Sequence, residues 1–274
     1  MNTNLIQPNL ADESSTTIKA LPILPAIGIF LGLGILFRFF IYSGIPLLES
    51  FGLHPFEAFL IAFNLPLLIL FVLAFIMLKQ EGVPMTRAAL SRRFRLHRFG
   101  WRPILLMIGI YILSIGLSLA LAPTRAWILN LSPLLGPNET FPTLLNPAIQ
   151  NESIVESALA WMGPNAAGNW LWAFMVTTLL FLNIFGEELL WRGVILPRQE
   201  LAHGRWAWLI HGLLWLLFHL PFYPWYLIFG LPSTLGLSYL AQKTKNTWLP
   251  IILHTMFNAT IYLIMLLITF GVIQ

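Results

Sequence analysis

The residues able to do chemistry concentrate in Gly186 to Gly193, Gly-Glu-Glu-Leu-Leu-Trp-Arg-Gly, where two adjacent carboxylates and an arginine end the almost wholly apolar run 169–184. A charge at the middle of a spanning helix is unfavourable by roughly 2.5 to 3.5 kcal/mol on an insertion scale, so such a pair is a functional-site hypothesis by default. At about 100° per residue, Glu188 and Arg192 share a helical face as an (i, i+4) pair that can neutralise itself. Glu187 stands about a quarter-turn away, on the face of Asn183 and Trp191. It is the freer carboxylate and the candidate general base.

Two later stretches add polar groups at helical spacing. His211, Trp215 and His219 recur every four residues, and His254 and Asn258 are again four apart. A single His or Asn in a membrane is as often an interhelical hydrogen-bonding residue, so each cluster alone is weak. Counting 1.5 Å per residue, Glu187 lies about 16 Å before Arg198, His254 about 13 Å after Lys245, and His219 about 20 Å beyond Arg205. These depths predict one cavity in the inner half of the membrane. A carboxylate base, a neighbouring His and a His/Asn pair of donors suit peptide hydrolysis, with base-activated water and an oxyanion held by side chains. Other protease chemistries fail on residue type. Asp12 is the only aspartate, no His-Glu-x-x-His stretch occurs, and the chain has no cysteine. Ser233 and Ser238 lack a recognisable nucleophile setting.

The elements that must position these residues are membrane spans. The 274 residues are 58% hydrophobic and only 9% charged, with a mean hydropathy of +0.79, which predicts an all-α, polytopic transmembrane helix bundle of about seven spans. Residues 1–20 are polar, lack a basic n-region and a small-residue cleavage site, and read as a disordered tail. Residues 21–274 read as a single transmembrane domain without an internal repeat. Spans are expected near 21–42, with Arg38 free to snorkel or pair, and near 56–78, 104–121 and 170–198. Three more are expected near 206–220, 225–241 and 248–270. The fifth is short, about 22 Å, and ends at Pro221 and Pro224, so it should stop within the bilayer beside His219.

The net charge of +4 lacks the clustering on a soluble face that nucleic-acid binding requires. Lys79, Arg87, Arg92, Arg93, Arg95, Arg98 and Arg102 instead crowd one connection, which the positive-inside rule puts in the cytoplasm as topogenic charge with some anionic-lipid contact. The 123–167 connection, poor in bases, is then external. Its two Asn-x-Ser/Thr sequons, at Asn138 and Asn151, are short and common patterns.

Glu187-Glu188-x-x-x-Arg192, then Trp215-x-x-x-His219, then His254-x-x-x-Asn258 resembles the three signature motifs of the CPBP intramembrane proteases, which include the type II CAAX prenyl endopeptidases and relatives linked to bacteriocin self-immunity. Gly236, Tyr239, Thr244, Trp248 and Pro250, before His254, strengthen the likeness, which covers about 168–270. The resemblance implies a membrane endopeptidase in which Glu187 is the catalytic glutamate, His219 its partner in activating water, and His254 and Asn258 the oxyanion pair. Glu188 and Arg192 would hold the site together. Trp215 stands where the family usually has Phe and would serve as an aromatic wall. It further implies a peptide or protein substrate, one of prenylated proteins included, in a multi-pass bacterial plasma membrane with the active site opening towards the cytoplasm.

Glu187, His219 and His254 could also supply two His and one carboxylate to zinc, with water as fourth ligand, although no compact ligand pair such as His-x-x-x-His supports a required metal. A non-catalytic adaptor or immunity factor of the same fold is the alternative function. It has no physical need for an unpaired buried carboxylate. An ion-coupled transporter would need an inverted repeat or a second acid cluster, and neither is seen.

Overall fold

The computed structural model describes residues 18–132, 135–137, 141–146 and 153–274. Residues 1–17 of the expected tail, and most of both sequons, lie outside them. Among the described residues the secondary structure is entirely helical.

Five stretches are long and apolar enough to cross a membrane: Ile23–Ser50, Pro55–Gln80, Trp101–Leu121, Trp170–His219 and Trp248–Thr269. We therefore describe an integral membrane protein. The first stretch is α1 (Ile23–Phe39) running through a π-wound turn into α2 (Ile45–Ser50). The second is α3 (Pro55–Gln80), whose start is fixed by His54: its ring Nδ1 accepts from the Phe56 amide, and Glu57 accepts from the His54 amide. A short helix, α4 (Arg87–Arg93), precedes the third, α5 (Trp101–Leu121). The 123–167 connection holds α6 (Thr124–Leu131) and α7 (Ile154–Met162).

The fourth stretch is the axis of the molecule. It begins with α8 (Trp170–Phe181), capped by the Asn169 side chain, and leaves the α form twice, in π-wound segments at Leu182–Gly186 and Leu189–Ile195. It ends in α9 (Leu196–His203) and, after one 3-10 turn, α10 (Ala207–His219). α11 (Leu231–Thr244) and α12 (Trp248–Thr269) complete the bundle.

The expected count of seven is thereby refined, because α10 and α11 have only 13 and 14 residues and neither reaches across about 30 Å of hydrocarbon alone. The sixth span does not start at Trp225, which sits in a 3-10 turn at Pro224–Tyr226. The break at Pro221 frees backbone carbonyls at depth, and they find partners. Arg38 Nη1 donates to Pro221 O at 2.6 Å and the Tyr42 hydroxyl to Phe222 O at 3.3 Å. Arg38 thus caps a broken helix end and does not merely snorkel. Close approach of α1 to this end requires Gly34, since a Cβ there would collide with Phe218 O.

The basic connection also does more than set topology. Arg93 grips Glu81 with two bonds of 2.7 and 2.9 Å and donates to Gly193 O at 2.6 Å, while Arg95 and Lys245 both bind Glu200. These contacts tie the ends of α3, α9 and α11 together on one side of the bundle.

Candidate active site

Glu187, Trp215, His219, His254 and Asn258 all line one cavity of about 370 Å³. Three helical segments present them: the α8–α9 axis, α10 and α12. The two π-wound segments flank Glu187 and Glu188 directly. A π-helix bonds residue i to i+5 and therefore turns less per residue than an α-helix, so side chains four apart stack more nearly above one another.

Glu187 is only 4% exposed and has no ion-pair partner among the described residues. It is nonetheless held at both oxygens. Asn183 Nδ2 donates to Oε1 at 2.9 Å and the Trp215 indole N–H donates to Oε2 at 3.0 Å. Its other expected neighbour, Trp191, turns into the core and stacks on Phe30 with ring centroids 4.2 Å apart. Helix spacing alone did not place Trp191, whose ring is drawn into the core by Phe30 and Phe218.

Glu188 forms the expected pair with Arg192 at 2.8 Å, both side chains fully buried. The same oxygen, Oε1, also meets His254 Nδ1 at 2.8 Å, a contact that helix spacing within one segment has no means of revealing. A carboxylate facing Nδ1 fixes the ring with its proton on that nitrogen and leaves Nε2 for the cavity. His219 is fixed in the same sense by a different acceptor. Its Nδ1 donates to Trp215 O at 2.8 Å, so Nε2 carries the lone pair. Asn258 Nδ2 donates to His254 O at 3.2 Å on its own helix.

Trp215 is more than the aromatic wall expected. Besides the bond to Glu187, its ring lies under the Arg192 guanidinium, whose Cζ is 3.9 Å from the ring centroid. One indole therefore touches two of the three charged members of the first motif, Glu187 and Arg192. Sequence reasoning also gave no site role to Asn183; its signal was the i, i+4 spacing to Glu187. His211, on the same stripe as Trp215 and His219, does not reach the cavity. It is buried one turn lower, where Nδ1 bonds Gln199.

The zinc set is not assembled. Among the described residues no three His, Asp or Glu side chains are grouped so that they could hold a metal ion. His254 turns its Nδ1 to Glu188 and His219 its Nδ1 to Trp215 O, while Glu187 accepts from Asn183 and Trp215.

The cavity also runs in a different direction from that expected. Its lining on α3 is Phe59, Phe63 and Leu67, in the half of the helix remote from the basic connection, and on α5 it is Ile115 and Ser118, in the last third. It extends from Glu187 away from the basic end and under the 123–167 connection, which contributes Leu144, Leu145 and Trp161. Among the described residues the lining does not reach the basic end, where the opening was expected.

No curated protein matches the chain, and no solved structure does. Residues 169–260 match a family model described as Type II CAAX prenyl endopeptidase Rce1-like. That segment holds all three motifs and every residue that brings a charge or an imidazole to the cavity. The likeness read from Glu187 to Asn258 is thus shared by a family model over this stretch, about a third of the chain.

Proposed function

We propose that the protein is an intramembrane endopeptidase that hydrolyses a peptide bond with water activated by Glu187 and His219. The observation that carries this reading is a buried carboxylate without an ionic partner, held at both oxygens by neutral donors beside two ring-fixed histidines on one cavity. A purely structural carboxylate at that depth would be costly to retain unpaired.

In this reading the Glu187 carboxylate takes a proton from water while His219 Nε2 accepts the second O–H and orients it. The oxygen attacks the scissile carbonyl carbon, whose oxygen becomes an oxyanion. His254 and Asn258, on the same cavity, are the donors assigned to hold it. Because Nδ1 of His254 serves Glu188, Nε2 donates only when the ring is protonated. Collapse breaks the C–N bond, and the leaving amine recovers the proton from Glu187.

The matched family supports a peptide or protein substrate at the membrane, and prenylated proteins are the finer form of that proposal. The test is a comparison of cleaved membrane proteins and peptides between cells carrying the parent and Glu187→Ala. Substrates should accumulate uncut in Glu187→Ala, His219→Ala and His254→Ala while each variant stays folded. Parent-like cleavage in Glu187→Ala defeats the assignment and favours an adaptor that acts by binding.

A further inference from the structure

Behind the catalytic cavity the axis helix carries a second line of polar groups. Glu188, Arg192, Gln199 and His203 follow one another at intervals of four, seven and four residues, the repeat of one helical face. α9 packs against α10, and there His211 Nδ1 meets the Gln199 side chain. Each of these five side chains keeps a buried atom without a hydrogen-bond partner among the described residues: Glu188 Oε2, Arg192 Nε and Nη2, Gln199 Nε2, His203 Nε2 and His211 Nε2. Trp191 Nε1 joins them, and elsewhere among the described residues only Asn64 Oδ1 shares that condition.

These atoms are neighbours. The Arg192 guanidinium lies on the ring of Trp215, one turn of α10 from His211, with Cζ 3.9 Å from the ring centroid. It is near enough for its charge to act on the His211 ring. Phe30 touches both Trp191, stacked at 4.2 Å, and His211, met edge-on at 5.4 Å, and offers neither a donor nor an acceptor. None of the six polar residues lines the catalytic cavity. The far end of the seam comes to the surface instead: His203 is half-buried beside exposed Gly204 and Arg205. That is the basic end, where the clasp of Arg93, Glu81, Arg95, Glu200 and Lys245 stands.

The seam is also complementary in its chemistry. With Nδ1 donating to Gln199 Oε1, His211 Nε2 carries a lone pair and accepts, as Glu188 Oε2 does, while Arg192, Trp191 and Gln199 offer N–H groups. A buried donor or acceptor left unmet costs stability, and a buried water joins groups of both kinds at once.

We infer that the seam holds a file of internal water that exchanges at the basic end, and that His211 is through it a positioning residue for the catalytic site. Water bridges tie the free oxygen of Glu188 and the free nitrogens of Arg192 to His211 Nε2. Because the other Glu188 oxygen meets His254 Nδ1, a carboxylate held at both oxygens fixes the His254 ring. The role of His211 rests on the proteolytic reading, whereas the water does not.

Radiolytic oxidation in bilayer discs tests the water, since hydroxyl radicals formed from a bound water attack the side chain beside it. Trp191, at 0% exposure, should oxidise at least tenfold faster than Trp172, which is 3% exposed and donates its indole N–H to Glu57. Equal rates overturn the file of water. The role of His211 is read on the substrate that Glu187→Ala leaves uncut. His211→Phe/Gln199→Leu removes both members of the pair, an exchange for apolar groups that leaves neither facing a missing partner. It should melt close to the parent yet lower kcat at least tenfold, with KM within twofold. His211→Gln keeps an acceptor near the place of Nε2 and should lose less than threefold. Parent-like kcat in the double variant, or equal losses in both proteins, overturns the positioning role. Should the double variant not fold, His211→Phe is compared with His211→Gln to the same end. If the parent cleaves nothing, the proteolytic reading fails, and with it the role of His211, while the oxidation rates still decide the water.

Discussion

At the scale of single residues, Trp215 is where geometry departs most from a reading of side-chain type. A phenylalanine would keep the apolar wall and lose the donor to Glu187. A hydrogen bond to a charged group is worth about 1.5 to 3 kcal/mol. If it is needed in the transition state, Trp215→Phe should lower kcat about 10- to 100-fold with KM little changed, measured on the substrate that Glu187→Ala leaves uncut. Replacement by benzothienylalanine, which keeps the bicyclic ring over Arg192 and lacks the N–H, should reproduce the loss; parent-like turnover would reduce Trp215 to packing. Glu188→Gln acts differently. It removes the counter-charge of a fully buried Arg192 and the carboxylate facing His254 Nδ1. Breaking one side of a buried pair costs about 3 to 5 kcal/mol, so the loss of thermal stability should exceed that of Glu187→Ala, read by melting in detergent. Helix spacing made the Glu188–Arg192 pair legible in the sequence because both residues lie on one segment. The third partner, His254, was not legible, since a contact across 66 positions depends on how two helices pack.

At the scale of elements, the long apolar runs announced themselves by length and hydropathy, and the break at Pro221 by residue type. The sequence did not reveal the π winding on either side of Glu187, because no local signal separates a π turn from an α turn in a uniformly apolar stretch. Nor did it reveal the device that makes the broken end of α10 tolerable. Arg38, on a different span, bonds Pro221 O, and Gly34 lets the two backbones meet. Arg38→Met would leave that carbonyl without its donor in a region with little water to replace it. A destabilisation on the order of 1 to 3 kcal/mol follows, and Gly34→Leu should be at least as damaging because the displaced neighbour is backbone. Both variants should also slow cleavage, since the segment they support begins at His219. A stable Arg38→Met protein with parent-like melting would show that Arg38 is not the cap.

At the scale of the whole molecule, the same basic residues that orient the chain also brace it. Arg93 has a side chain only 8% exposed, its partner Glu81 7%, and it reaches Gly193 O inside the π-wound segment that follows Glu188. The clasp therefore touches the axis helix at Gly193, which does not line the cavity. A charge placed for topology alone would tolerate exchange for lysine. Arg93 should not, because lysine offers a point charge where two carboxylate oxygens and a carbonyl are now met by a planar fork. We expect Arg93→Lys to be measurably destabilised and Arg93→Met more so, by about 3 kcal/mol. The Glu81→Met/Arg93→Met double variant should recover part of the loss, because neither member of the closest pair is left facing a missing partner, although Arg198, 3.8 Å from Glu81, loses a contact. Unfolding of the parent, Glu81→Met, Arg93→Met and the double variant, measured in bilayer discs, gives the coupling directly. If the double variant is as unstable as the sum of the singles, the pair carries no mutual energy, and the basic connection returns to a purely topogenic role. A coupling of the expected sign means that the pair holds Arg93 against Gly193 O in the π-wound segment that follows Glu188, so that Arg93→Met should also slow cleavage of the substrate that Glu187→Ala leaves uncut.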